Sequence, residues 1–168
     1  GPAISWKGID ENLYYFIGKD KNYQDVSGCG NTIAANRGLV RKLIIESLKC
    51  WASELGVDGF RFDLGIALSR GENLSPLDNP PIFEDIECEP ELIDIKFISE
   101  PWDCGGLYKL GDFPSKNTFT WNGHFRDDLR RFWKGDKDTA WNMSDKIKGT
   151  PSIYKEDNIF PKSINFIT

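Results

Sequence analysis

Three residues of this chain have the types and the spacing that acid–base chemistry needs: Arg61, Asp63 and Glu100. The segment 57–64 reads Val-Asp-Gly-Phe-Arg-Phe-Asp-Leu, and strand alternation puts Arg61 and Asp63 on one face of it. The opposite face then carries the apolar side chains Phe60, Phe62 and Leu64. A charged pair on an otherwise apolar strand is costly to bury without a partner or a purpose.

The second acid, Glu100, ends another apolar run, which predicts a strand over residues 93–100. Two successive strands that end in acids predict paired-carboxylate chemistry. Arg61 can hold the Asp63 carboxylate ionised through a charge-assisted hydrogen bond, and an ionised carboxylate suits a nucleophile at a sugar carbon. Pro101 and Trp102 would give Glu100 an apolar wall, which suits a proton donor. The alternative is an ion pair that merely holds the core together, and the placement of Glu100 disfavours it.

Aromatic residues near these acids could offer flat faces to sugar rings. The candidates are Trp102, Tyr108 and Trp121. Core packing is the alternative for all three, and it stays open for Trp121. For Trp51, Trp133 and Trp141 we expect packing.

Periodicity and turn residues predict alternating helices and strands. Helices are expected over residues 39–55, with Gly56 as the stop, and over 82–92, interrupted by Pro90. A third helix is capped by Asn122 and stopped by Gly135. Further strands are expected over 13–17 and 163–168, and residues 102–108 form a glycine-rich loop. Repeating units of this kind predict an α/β fold.

Composition excludes several classes of partner and site. The formal charge of -5 argues against nucleic acid and an anionic membrane, and no apolar run approaches the roughly 18 residues of a spanning helix. The chain begins with Gly1 and not with methionine, so the lack of a targeting signal excludes nothing. The four cysteines include no close pair, which disfavours a metal centre and predicts reduced thiols, Cys50 among them buried. His124, the one histidine, is expected to have no special role.

Several motifs carry a family resemblance. Residues 59–63, Gly-Phe-Arg-Phe-Asp, resemble the strand-four signature of the α-amylase superfamily, glycoside hydrolase family thirteen, and 99–103, Ser-Glu-Pro-Trp-Asp, resemble its strand-five signature. The segments that narrow the likeness to isoamylase-type starch and glycogen debranching enzymes are 27–32, 57–64, 103–108, 121–123 with 126–127, and 163–167. The likeness extends over almost the whole chain.

The resemblance implies part of a TIM-type (β/α)8 barrel, from after strand three to strand seven, with residues 1–168 as one incomplete catalytic domain and no second domain visible. It implies retaining hydrolysis of α-1,6 branch linkages in starch, glycogen or amylopectin. Asp63 would be the nucleophile, Glu100 the acid and then the base, and Arg61 the residue that orients Asp63. Trp102, Asp103, Tyr108 and Trp121 would contact substrate. No cofactor is implied, although calcium, which some relatives bind, could occur outside these residues.

The chain also departs from the family pattern. Where such enzymes commonly have Asn-His-Pro, this chain has Asn36-Arg37-Gly38, which bears on substrate contacts near that loop. The family's third acid, in a His-Asp pair, is expected just after Thr168, and the strand-three motif before Gly1. We therefore expect the 168-residue piece alone to be inactive.

Two other interpretations remain open. One is a non-catalytic, glucan-binding regulatory subunit of isoamylase type, which would be expected to lack catalytic carboxylates. The other is the bacterial glycogen-trimming type, which residues 131–136 also resemble, whereas 104–108 fit plant and algal isoamylases better. An intracellular location is expected, in a plastid or the cytoplasm, and a homo- or hetero-oligomer is compatible with the sequence.

Overall fold

The chain alternates helices with short strands. A computed structural model describes residues 5–154 and 162–167. In chain order, the helices and strands of these ranges are α1 (Lys7–Tyr14), α2 (Gly38–Lys49), β1 (Gly59–Phe62), α3 (Pro81–Cys88), β2 (Lys96–Ser99), β3 (Thr118–Asn122), α4 (Gly123–Lys134), α5 (Ala140–Ile147) and β4 (Ser163–Asn165). A π turn at Cys50–Glu54 extends α2, and 3₁₀ turns occupy Gly65–Ser69, Glu72–Leu74 and Pro90–Leu92.

The strands form one parallel sheet in the order β1-β2-β3-β4. Gly59 pairs with Lys96 and Phe62 with Ser99. Asp63 and Glu100 are therefore the next residues of two neighbouring strands, at the carboxyl edge of the sheet. This arrangement confirms the predicted α/β class.

The apolar core lies between one face of the sheet and the helices α2 and α3. Phe97 of β2 stacks on both Phe60 and Phe62 of β1, with ring centroids 5.9 Å apart in each pair. The buried residues of the same cluster are Ile45, Leu48, Ile82, Phe83, Ile86 and Leu92. Because Phe60 and Phe62 point into this core, alternation sends Arg61 to the other face, as the sequence predicts.

One predicted strand in the first third of the chain is wrong. Residues 13–17 were predicted as a strand, but α1 includes the first two of them, and only isolated bridges at Tyr15 and Ile17 follow. The Asp10 carboxylate accepts a hydrogen bond from the Leu13 N–H at 3.0 Å, which closes a local turn that outweighs the β propensity of the aromatic run.

The long helix predicted to Leu55 is regular only to Lys49. The wider π turn that follows changes the rotation of successive side chains, so Trp51 is 51% exposed. Cys50, the first residue of this π turn, was predicted to be buried and is exposed.

The sequence reasoning missed β3, which lies between β2 and β4. Its polar residues Thr118, Thr120 and Asn122 are the buried ones, while Phe119 is 40% exposed. Sequence reasoning that looks for apolar residues inside does not recognise a strand with this inverted pattern. No helix separates β2 from β3 among the described residues, so the predicted strict alternation of strands and helices fails there.

The helix after β3 begins and ends as predicted. The Asn122 side chain accepts a hydrogen bond from the Phe125 N–H, and Gly135 ends α4 in the left-handed conformation with φ of 83°. Trp133 and Trp141, predicted to pack, are 79% and 87% exposed, because nothing described here covers those faces of α4 and α5.

The predicted final strand is observed over its first half as β4, and its last residue, Thr168, lies outside the described ranges. Across residues 5–154 and 162–167, no helix combines the length and the apolar composition that a bilayer crossing requires.

Gly65, which follows β1, lies directly against the end of β2. A Cβ atom there would lie 2.0 Å from the Ser99 Oγ and 2.8 Å from the Phe62 Cβ. We expect Gly65→Ala to lower the free energy of unfolding by about 1–3 kcal/mol, the usual effect of overpacking. Urea unfolding measures this change.

Gly38→Ala is the matched control, because nothing lies within 4 Å of a Cβ atom at Gly38. This variant should stay within about 1 kcal/mol of the unsubstituted protein. Equal losses of stability in the two variants would contradict the close approach.

Candidate active site

One guanidinium group joins the two acids that end β1 and β2. The Arg61 Nη1 lies 3.0 Å from the Asp63 Oδ1, and the Arg61 Nη2 lies 2.5 Å from the Glu100 Oε1. The side chains of Asp63 and Glu100 are 77% and 12% exposed. The structure therefore brings the three predicted catalytic residues together, with Asp63 open and Glu100 covered.

Glu100 has a second donor that the sequence reasoning did not reveal. The Leu64 N–H donates to its Oε2 at 2.9 Å. Leu64 can present this N–H because its backbone is left-handed, with φ of 45° and ψ of 41°. That conformation is strained for a residue other than glycine, and such strain often marks functional sites. Both oxygens of Glu100 thus accept hydrogen bonds, a more polar setting than the predicted apolar wall.

Asp103, predicted to contact substrate, is buried and fully engaged. Its side chain is 0% exposed and faces Arg70, with the Arg70 Nη2 2.8 Å from the Asp103 Oδ2. Its Oδ1 also accepts from the Gly105 and Leu107 N–H groups at 2.9 and 3.0 Å. The carboxylate therefore orders the loop after β2 and is closed to a ligand in this structure. Arg70 lies in a turn region that gave no sequence signal.

The three predicted aromatic residues meet in one cluster. Trp102 and Tyr108 pack edge to face at 5.8 Å, and Trp102 also stacks on Phe166 at 6.1 Å. Trp121 stacks on the same Phe166 at 4.7 Å. Phe166 belongs to a segment noted for its resemblance, but its central position could not be foreseen, because only the fold brings it between two tryptophans.

Tyr108 remains the most open member of the cluster, at 41% exposed. Its ring stacks on His124 at 5.3 Å, and burial of the phenol raises the pKa of Tyr108. A Cβ atom at Gly123 would lie 2.7 Å from the Tyr108 hydroxyl and 3.4 Å from a Trp102 ring atom. The loop after β2 thus rests on the first turn of α4, where only a glycine leaves room.

Arg126 and Asp127 form an ion pair beside this cluster. The Arg126 Nε lies 2.7 Å from the Asp127 Oδ1, and this hydrogen bond holds the pKa of Asp127 below its usual value. The Arg126 guanidinium also lies 5.5 Å from the Phe166 ring centroid. Arg126 therefore adds a positive charge to the aromatic cluster.

Residues 28–32, Gly-Cys-Gly-Asn-Thr, form a loop that is held by Asp25, a residue that the sequence reasoning did not single out. The Asp25 carboxylate accepts from the N–H groups of Ser27, Gly28 and Gly30 at 2.8, 3.1 and 2.7 Å. Burial acts to raise the pKa of Asp25, but these hydrogen bonds outweigh it and the pKa is lowered. The loop meets the site through the Cys104 N–H, which donates to the backbone oxygen of Val26 at 2.8 Å.

Arg37, which occupies the position of the family's histidine, has structural partners. Its Nε lies 2.9 Å from the Glu72 Oε1, and its Nη1 donates to the Tyr15 backbone oxygen at 3.1 Å. It joins the end of α1 to the turn after β1. In the part of the chain that the structure describes, no group of three or more His, Cys, Asp or Glu residues could hold a metal ion.

Individual curated proteins match almost the whole chain, although no protein-family model matches it. Isoamylase 3, chloroplastic, of Oryza sativa subsp. japonica is 42% identical in an alignment 167 positions long, which covers 97% of this chain and 21% of the relative. Isoamylase SU1, chloroplastic, of Zea mays is 38% identical over 99% of this chain and 24% of its own. The glycogen operon protein GlgX homolog of Mycobacterium bovis is 38% identical over 100% of this chain and 24% of its own.

Solved structures agree on the fold. Pullulanase from Bacillus acidopullulyticus matches with a TM-score of 0.69 at 23% identity, over 92% of this chain and 20% of that one. Apo pullulanase from Paenibacillus barengoltzii matches with a TM-score of 0.70 at 21% identity, over 96% of this chain and 27% of that one. The fold is part of a (β/α)8 barrel, and the chain spans about a fifth to a quarter of the length of the curated relatives it matches.

The buried Arg70–Asp103 pair should be essential for stability. Asp103→Asn leaves the Arg70 guanidinium buried without its counter-charge, so we expect a loss of roughly 3–5 kcal/mol in the free energy of unfolding. Chemical denaturation measures this loss.

The exposed Lys109–Asp112 pair, with an N–O distance of 3.1 Å, serves as the control. Asp112→Asn should cost about 0–1 kcal/mol. If Asp103→Asn is as mild as this control, the pair does not hold the loop.

Proposed function

We propose that this chain, which belongs to the isoamylase-type debranching family of the α-amylase superfamily, is part of an enzyme that hydrolyses α-1,6 branch linkages in starch or glycogen. The names of its relatives, isoamylase and glycogen operon protein, support this reaction class. The single observation that carries it is the Arg61 guanidinium, bonded to both Asp63 and Glu100 at the ends of adjacent strands.

Retaining double displacement is the mechanism that this geometry supports. Asp63, the open acid, attacks the anomeric carbon while Glu100 protonates the departing glycosidic oxygen. Glu100 then removes a proton from the water that releases the sugar from Asp63. Two carboxylates held by one guanidinium suit the short separation of retaining enzymes, about 5–5.5 Å. Each oxygen of Glu100 accepts only one hydrogen bond here and keeps a second lone pair, so the protonated acid can donate to the glycosidic oxygen while both contacts persist.

Substrate would meet the site through the aromatic cluster. Sugar rings could stack on the exposed edge of Tyr108 and on Trp102, while Asp103 holds their loop in place. A pullulanase of Anoxybacillus sp. LM18-11 with the same fold was solved in complex with maltotetraose, which supports an α-glucan as the partner. We propose no nucleic acid or membrane partner, no cofactor, and calcium only in parts of the protein beyond these residues.

The chain would supply one section of the barrel. We assign β1 to β4 to barrel strands four to seven and treat residues 1–168 as a single, incomplete catalytic domain. Relatives named chloroplastic support a plastid, and the bacterial relatives support a cytoplasm, as the compartment. The whole protein could act as a homo- or hetero-oligomer.

The 168-residue chain alone should not hydrolyse branched glucan. A (β/α)8 barrel usually needs about 250 residues to close, and four strands leave open sheet edges. Expression of residues 1–168 and an assay for new reducing ends on amylopectin test this. Hydrolysis well above a blank with Asp63→Asn would contradict it.

A regulatory subunit that binds glucan without cleaving it is the alternative, and the retained acid pair disfavours it. In the whole protein, we expect Asp63→Asn and Glu100→Gln each to lower kcat roughly 10²- to 10⁴-fold, because each removes a reacting group. Initial rates on amylopectin, with maltotetraose binding measured by calorimetry, separate catalysis from binding.

Asp112→Asn is the control for a lost surface charge, since Asp112 is exposed and forms its ion pair with Lys109. It should keep the full rate. A whole protein that binds maltotetraose but gives the same negligible rate with and without Asp63 would favour the regulatory subunit.

A further inference from the structure

Trp121 lies against Arg61 as well as beside the predicted sugar-binding residues. The Arg61 guanidinium carbon lies 4.3 Å from the centroid of the Trp121 ring. Tryptophan is the best aromatic partner for a cation, and this distance is well within the roughly 6 Å limit for an attraction. Trp121 is also half-buried.

The contacts of Arg61 divide into two kinds. Asp63 and Glu100 bind nitrogen atoms at the edge of the guanidinium plane, at 3.0 and 2.5 Å. These two contacts alone would let the guanidinium plane tilt about the line that joins the two carboxylates. The Trp121 ring, whose centroid lies 4.3 Å from the guanidinium carbon, is a further contact that restricts this motion, which matters because 36% of the Arg61 side chain is exposed.

Trp121 is itself held by Phe166 and by the pairing of its strand with β4. Phe166 stacks on it with ring centroids 4.7 Å apart and planes inclined by 27°. Trp121 also lies on β3, whose register against β4 pairs it with Ile164. On the buried face of β3, the Asn122 side chain donates to Thr150 at 2.8 Å, which fixes the rotation of the strand.

We propose that Trp121 is a positioning residue for catalysis, acting through Arg61, and not a platform for sugar. Its ring already carries the Arg61 guanidinium at 4.3 Å and the Phe166 ring at 4.7 Å, whereas Tyr108, at 41% exposed, offers a sugar the most open surface of the cluster. Trp121 holds the guanidinium plane, and the plane in turn holds the two carboxylates at the reacting carbon. This inference rests on the proposed hydrolase function.

Kinetics of the whole enzyme on amylopectin test the proposal. Trp121→Leu removes the π face, and we expect kcat to fall roughly 3- to 30-fold, with KM within about 3-fold of the original. Trp121→Phe restores a π face and should recover kcat to within about 3-fold. Phe166→Leu keeps Trp121 but removes its stacked ring, and should lower kcat by less than Trp121→Leu does.

Two control variants show what loss of a sugar contact and loss of a remote tryptophan look like in the same assay. Trp102→Leu should raise KM, as loss of a sugar platform requires, and Trp133→Leu, on the exposed face of α4, should change neither constant. A rise in KM with unchanged kcat in Trp121→Leu would overturn the proposal, as would full activity in that variant. If Trp121→Leu does not fold, then equal kcat in Phe166→Leu and in the unsubstituted enzyme would overturn it instead.

Nuclear magnetic resonance of Arg61 gives a readout that does not need turnover. A guanidinium over an indole ring has an upfield ring-current shift at its Nε–Hε signal, which is assigned by its loss in Arg61→Lys. We expect Trp121→Leu to abolish this upfield shift, and an unmoved signal would contradict the contact. If the whole enzyme shows no hydrolysis while the shift is present, the proposed function fails and the contact stands.

Discussion

The register of β1 on β2 is the constraint on which the site depends. Phe62 pairs with Ser99, so the following residues, Asp63 and Glu100, leave adjacent strands at the same edge. Arg61 points away from the phenylalanine core and can reach both acids. A slip of one residue would turn Arg61 into the core and separate the carboxylates, because the period of a strand is two.

Polar and strained residues lie just after the paired ends of β1 and β2. Leu64 is left-handed, Gly65 has no room for a Cβ atom, and Glu100 accepts a hydrogen bond from the Leu64 N–H. Further out, the buried Arg70–Asp103 pair orders the loop that carries Trp102 and Tyr108. These features favour a site whose shape is fixed before substrate arrives, which lowers the reorganisation that the reaction needs.

The sequence was sufficient for the parts that follow from local patterns. The apolar periodicity of α2, the cap at Asn122 and the alternation around Arg61 are properties of short segments, and the structure confirms them. The contacts that cross between segments could not be predicted in this way. Arg70 on Asp103, Phe166 on Trp121 and the Leu64 N–H on Glu100 join residues that only the fold brings together.

β3 shows a second limit of sequence reasoning. Thr118, Thr120 and Asn122 are buried because side-chain partners satisfy them, among them Tyr154 on Thr120 at 2.7 Å. Hydrophobicity alone assigns such residues to the surface. Because the polar residues of β3 face the interior, Trp121 lies on the opposite face, toward Arg61. The strand and the Trp121–Arg61 contact were therefore missed for one reason.

The nucleophilic role of Asp63 is the central claim, and covalent trapping tests it most directly. In the whole protein with Glu100→Gln, α-maltosyl fluoride needs no acid to lose fluoride, but the sugar–enzyme ester lacks the base that hydrolyses it. Mass spectrometry of the digested protein should find a maltosyl group on the Asp63 side chain. Absence of this adduct while fluoride is released, or its presence on another carboxylate, would contradict the account.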